Sequence, residues 1–102
     1  GENYPETSGT LLFAYSALRS ARLGITGSAV KHAGEKAFSR VTEDFIAFDD
    51  PLPVMRSICL TAGLGGSPYR DGSAEYYLSE RIAENDAKGI APYIMTYTEI
   101  MR

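Results

Sequence analysis

Five carboxylates, Glu6, Asp71, Glu75, Glu80 and Asp86, are of the type that glycoside-cleaving sites use in facing pairs, one as acid and one as base or nucleophile. Type alone selects no pair, and the alternative reading of each is structural. Glu6 and Asp86 stand where helix N-termini attract carboxylates, and Asp71 precedes a glycine in a turn. Tyr69, Tyr76 and Tyr77 with Arg70 make a second constellation, an amphipathic lining that stacks on sugar rings and hydrogen-bonds hydroxyls. Burial of those tyrosines in a core is the competing explanation.

Other chemistries find less support. The run Gly63-Leu64-Gly65-Gly66-Ser67-Pro68 places proline where a dinucleotide fingerprint needs its third glycine, and no Gly-Lys-Ser follows. Its glycines serve instead for positive φ and close backbone approach. Ser16, Ser20 and His32 have no spacing that assembles a nucleophile, a base and an orienting group. His32 reads as a solvated helix residue and Cys59 as a buried thiol. One cysteine and one histidine have no recognisable zinc spacing. A structural metal site is not expected.

These residues need elements to hold them. Leu11, Ala14, Tyr15, Leu18 and Ala21 recur at helical steps between a cap at Thr7 or Ser8 and Gly24, which predicts a helix over 8–23, buried on more than one side. A second helix begins at a Ser28 cap and carries Val30, Ala33, Ala37, Phe38, Val41 and Phe45 on one face. The prolines around Asp50-Pro51-Leu52-Pro53 are expected to stop it, with Glu43-Asp44 and Asp49-Asp50 as a solvated acidic end. Val54 to Leu60 reads as a short extended strand. Thr61 to Gly72 is dense in turn formers and predicts a long loop, followed by a helical turn around Ala74 to Leu78. A last helix, capped by Asn85 or Asp86, puts Ile90, Tyr93, Ile94, Tyr97 and Ile100 or Met101 on its apolar face. Pro92 fits it near the first turn or kinks it.

With 102 residues and 44% hydrophobic content, the chain supports one modest core, a single unit over 1–102. Ten Lys and Arg against thirteen Asp and Glu give a net charge of -3, with no basic run to follow a phosphate backbone, so nucleic acid is not an expected partner. No apolar run approaches membrane length, and we expect a soluble piece that makes no use of a membrane. The start Gly1-Glu2-Asn3-Tyr4-Pro5 is not a signal peptide and lacks Met, so further sequence upstream is expected. The stripes on the first and last helices want partners, which reads as a slice of a larger helical array that self-associates when isolated.

Glu6-Thr7-Ser8-Gly9 opening a small-residue helix and Arg22-Leu23-Gly24 closing it are joined by Ala62-Gly63-Leu64-Gly65-Gly66 and Asp71-Gly72-Ser73. Glu75-Tyr76-Tyr77, Ser79-Glu80 and Asn85-Asp86-Ala87-Lys88-Gly89 follow. In that order, across nearly the whole chain, they resemble the C-terminal part of the unsaturated rhamnogalacturonyl hydrolases, relatives of the unsaturated glucuronyl hydrolases. The resemblance implies an all-α fold, the C-terminal slice of a barrel of six α-hairpins whose loops at one end form a sugar pocket. It also implies a substrate, an oligosaccharide ending in an unsaturated uronic acid, and no cofactor. The family's catalytic aspartate and tryptophans lie upstream of the matching part, and this chain has no tryptophan, so no catalytic residue is assigned. Ser79 occupies the place of serines that contact the uronate carboxylate in the glucuronyl relatives. Arg70, Tyr76, Tyr77 and Lys88 join it as candidate pocket wall by chemistry and proximity. The alternative is a small helical module that binds carbohydrate or protein without chemistry.

Overall fold

A computed structural model describes residues 1–48 and 51–102. Helix α1 spans Thr7–Arg22, α2 Ser28–Phe45, α3 Ala74–Ser79 and α4 Ala87–Ile100. Four two-residue strands, β1 (Ile46–Ala47), β2 (Val54–Met55), β3 (Ile58–Cys59) and β4 (Ile82–Ala83), form two antiparallel pairs, β1 with β2 and β3 with β4. The molecule is mostly helical and flat, 44 × 38 × 20 Å. Its radius of gyration of 15.2 Å exceeds the roughly 13 Å of a compact chain of this length. A slab is the shape expected of a slice from an α/α barrel.

Helix α1 starts one residue before the expected position and takes its cap from Glu6, not from Thr7 or Ser8. The Glu6 carboxylate accepts from the Ser8 and Gly9 amides at 3.2 and 2.7 Å and from the Ser8 hydroxyl at 2.6 Å. It also accepts from the Cys59 amide at 2.9 Å, which ties the helix start to β3. Thr7 is fully buried and turns its hydroxyl to the carbonyls of Arg56 and Ser57. At the other end, Gly24 adopts φ 75° just past the cap residue Leu23, the left-handed exit read from the sequence. Within this chain α1 buries one stripe, Thr7, Leu11, Ala14 and Leu18, while Leu12 and Phe13 are exposed.

Helix α2 begins at Ser28, but Gly27 occupies the cap position and no side chain caps the helix. It crosses α1 closely at Gly34, where an added Cβ would lie 3.1 Å from the Ala14 carbonyl oxygen and 3.2 Å from the Ala17 Cβ. Phe38 stacks on Tyr93 of α4 at 4.9 Å. The helix ends at Phe45, ahead of the prolines, because Ile46 turns extended and enters β1. Of the acidic end read from the sequence, Asp49 and Asp50 lie outside the described residues.

The expected strand over 54–60 is two pieces with different partners. Ser57, at φ 68°, breaks it, and its hydroxyl donates to the Pro5 carbonyl. Leu11, Val41, Met55 and Ile58 form the buried core, with Phe38, Phe45, Ile46, Ile90 and Tyr93 packed around it. Helix α4 is capped by Asp86 and runs through Pro92 without interruption. Its buried side is Gly89, Pro92, Thr96 and Glu99, so the expected apolar face is corrected: Ile94, Tyr97 and Met101 are exposed. Small residues allow α4 to approach the body closely. Gly89 sits where a Cβ would meet Ile58 Cδ1 at 2.6 Å, and the Thr96 hydroxyl donates to the Leu11 carbonyl at 3.1 Å.

Candidate functional site

The β3–β4 pair pins both ends of the excursion over 60–81, with the Leu60 amide donating to the Arg81 carbonyl at 2.9 Å. Within it, Gly65 and Arg70 exchange two backbone hydrogen bonds, at 2.8 and 3.0 Å, around a turn over 66–69. Gly65 and Gly66 hold φ of 70° and 85°, a conformation only glycine adopts without strain. The Arg70 side chain folds back over this turn. Its Nε donates to the Gly65 carbonyl at 3.0 Å, and its Nη1 lies where a Cβ on Gly63 would come within 2.5 Å.

Helix α3 closes the excursion. The Ser73 hydroxyl caps it by accepting from the Tyr76 amide at 3.0 Å, and Asp71 accepts from the Ser73 amide at 2.9 Å. Hydrogen bonding from the Ser73 amide and hydroxyl holds the Asp71 carboxyl below its ordinary range. The Tyr76 hydroxyl accepts from the Gly63 amide at 3.2 Å. Its proton faces the Glu80 carboxylate, which pushes the Tyr76 phenol up, with burial adding to the shift. Ser79, exposed at the end of α3, donates to the Tyr76 carbonyl at 2.6 Å.

Three of the five candidate wall residues come together. Arg70, Tyr76 and Ser79 line one open groove of about 500 Å³, joined by Tyr69 and Glu80. Tyr77 faces a neighbouring hollow of about 250 Å³ that shares the Tyr76 wall. Its ring stacks on Tyr4 at 6.1 Å with planes 6° apart, and burial pushes the Tyr4 phenol well up, with Tyr77 and Cys59 beside it adding to the shift. Lys88 lines neither hollow; it pairs with Asp86 at 2.8 Å. Proximity in sequence suggested Lys88, and the turn that caps α4 separates it in space.

Among the carboxylates, Glu80 alone lines the groove. Burial pushes the Glu6 carboxyl up, and the hydrogen bonds from Ser8, Gly9 and Cys59 outweigh it, holding the group below its ordinary range. Asp86 is likewise held low by Lys88. Both do the structural work their positions suggest. Among the described residues no three His, Cys, Asp or Glu gather as metal ligands, and no helix is long and apolar enough to cross a membrane.

The family model described as Glycosyl Hydrolase Family 88 matches residues 1–102. Two curated proteins are 40% identical to this chain over 104 residues, each match covering 95% of this chain and 45% of the relative. They are Protein Atu3128 of Agrobacterium fabrum (strain C58 / ATCC 33970) and the 24.9 kDa protein in picA locus of Rhizobium radiobacter. Among solved structures, a glycoside hydrolase from family 105 of C. acetobutylicum ATCC 824 aligns with a TM-score of 0.90 at 37% identity. That alignment covers 97% of this chain and 28% of the solved one. The chain therefore spans less than half the length of these relatives.

Proposed function

We propose a role that starts from family membership: this chain belongs to Glycosyl Hydrolase Family 88, whose model it matches from residue 1 to residue 102. It is the C-terminal portion of a glycoside hydrolase that acts on oligosaccharides ending in an unsaturated uronic acid, of the rhamnogalacturonan type. Residues 1–102 act as one unit, supplying scaffold and one wall of the sugar pocket. The acid that protonates the unsaturated sugar lies in the rest of the protein. Water then adds, and the resulting hemiketal opens with loss of the next residue.

The observation that carries this reading is the groove that gathers Arg70, Tyr76 and Ser79 at one loop end of the molecule. A guanidinium, a phenol and a hydroxyl suit a sugar that bears a carboxylate. The Ser79 proton now satisfies a carbonyl of its own helix, and because the residue is exposed, that proton is available for exchange onto a ligand oxygen. Tyr77 and Lys88 contribute from outside the groove, Tyr77 as wall of the adjoining hollow and Lys88 by its charge at the start of α4.

The test is loss of the ultraviolet absorbance of the conjugated double bond in an unsaturated uronyl disaccharide. The protein at its full encoded length is expected to remove it, and residues 1–102 alone are not. Turnover by the isolated chain above a buffer control would put the acid inside it. No turnover by the full-length protein, with saccharide binding retained, would favour a binding module instead.

A further inference from the structure

No residue of α3 is buried, and its six residues are too few to hold a helix by themselves. The Ser73 cap and the bond from the Gly63 amide to Tyr76 tie it within the excursion, and residues 1–6 tie it to α1. The backbone of Gly1 runs so close to α3 that a Cβ there would lie 2.7 Å from the Leu78 carbonyl oxygen. The Tyr4 ring stacks on Tyr77 at 6.1 Å with planes 6° apart, within the range of aromatic pairs. Just beyond Tyr4 the same segment is anchored in the body. The Pro5 carbonyl accepts from the Ser57 hydroxyl, the Glu6 carboxylate accepts from the Cys59 amide, and the Thr7 amide donates to the Ser57 carbonyl at 2.8 Å.

Tyr76 and Ser79 stand three positions apart, share one side of α3 and line the groove, whereas Tyr77 faces the adjoining hollow. A clamp on Tyr77 therefore sets the roll of α3 about its axis, and the roll decides where the hydroxyls of Tyr76 and Ser79 point. We infer that Tyr4 is a positioning residue: anchored at the start of α1, its ring fixes Tyr77 and so aims Tyr76 and Ser79 into the groove. Tyr4 itself lines neither hollow. The ring is what acts, because the Tyr4 hydroxyl is buried without a hydrogen-bond partner among the described residues. Tyr4→Phe keeps the clamp and Tyr4→Ala removes it.

The inference rests on the function proposed for the groove, and its test separates the two. With the full-length protein, kcat/KM is measured on an unsaturated uronyl disaccharide. Tyr4→Ala is expected to lower it about tenfold, the scale of a lost hydrogen bond to a charged group, while Tyr4→Phe stays within about twofold of wild type. In a Ser79→Ala background one of the aimed hydroxyls is already gone, so Tyr4→Ala should cost about threefold or less. A loss of stability alone would lower both backgrounds by the same factor. Equal losses in the two backgrounds, no loss from Tyr4→Ala, or the same loss from Tyr4→Phe overturns the positioning role. Should the wild type not cleave the disaccharide, the proposed function fails, and amide hydrogen exchange decides the clamp by itself. Exchange that is faster over residues 76–79 but not in α2 in Tyr4→Ala, with Tyr4→Phe like wild type, upholds it; exchange unchanged over 76–79, or faster throughout, overturns it.

Discussion

Arg22 grips Glu99 with both of its forks, Nε to one carboxylate oxygen at 2.7 Å and a terminal nitrogen to the other at 2.9 Å. The pair locks the C-terminal end of α1 to that of α4. Arg19 and Arg102 stand further off, at 3.8 and 4.0 Å, and the Glu99 side chain is only 3% exposed. A carboxylate so enclosed stays charged only because its partners surround it.

Its pKa predicts an acid-linked loss of stability. The Arg22 hydrogen bonds hold Glu99 below its ordinary range. A depressed carboxylate contributes stability in full above its unfolded value, near 4.3, and loses it as pH falls through the lower folded value. Glu99→Gln should therefore melt lower than wild type at pH 7, with the two melting temperatures converging as the solution is acidified. Parallel curves across that range would mean that the pair contributes nothing.

Glu6 is the more economical target, because one side chain satisfies the start of α1 and an amide of β3 together. Glu6→Ala should cost about 2 to 4 kcal/mol, the sum of a lost helix cap and a lost bond to a charged acceptor. Chemical denaturation measures it. A loss below about 0.5 kcal/mol, the scale of an ordinary surface change, would show that water replaces the carboxylate.

Gly89 tests the close approach of α4 to the core. Alanine there places its methyl group against Ile58, which is fully buried and cannot move aside, so overpacking should cost about 1 to 3 kcal/mol. Ile58→Val removes the Cδ1 contact but keeps Cγ1, which would lie at 2.8 Å, so the double variant should lose less than the sum of the two single losses. Losses that simply add would mean that the contact is not what makes glycine necessary.

In the complete enzyme, Ser79→Ala should lower kcat/KM for an unsaturated uronyl disaccharide by the equivalent of about 1 to 3 kcal/mol, the scale of a hydrogen bond to a charged group. Ser39→Ala, on an exposed part of α2, is the matched control. Equal kinetics in the two variants would assign Ser79 to the scaffold.

The isolated chain should self-associate. Phe13 is 80% exposed and Ile94 58%, with Leu12, Tyr97 and Met101 also open to water, and apolar patches of this kind are rarely left bare. Sedimentation velocity checks it. A monomer at high concentration would mean that these faces are tolerated in water.

Helical spacing made α1 legible to within a residue and α2 at its start, although α2 ends at Phe45, short of the prolines expected to stop it, and turn formers marked the glycine loop. Glu6 went unread as the cap because cap statistics favour short side chains, whereas here a longer carboxylate reaches around to three amides. Two-residue strands carry almost no alternation, so β1 and β4 left no signal, and β2 and β3 were read together as one strand over 54–60. The buried side of α4 misled for a related reason. Apolar periodicity finds Ile94 and Tyr97, while close packing inside this chain selected Gly89, Pro92 and Thr96. In the groove, Tyr76 and Ser79 are one turn apart on α3 and so share a side. Tyr77 and Lys88 were chosen by type and nearness in sequence, neither of which encodes direction.

The paired strands at the foot of the excursion over 60–81 also have an evolutionary consequence. Because the segment leaves and returns at hydrogen-bonded neighbours, it can be exchanged as a cassette, with the closure of its ends already provided by the body. The turn around Gly65 to Arg70 can then change in sequence or length without disturbing the helices beneath. A replaced segment should still fold in place as long as residue 77 keeps a ring for Tyr4 to stack upon.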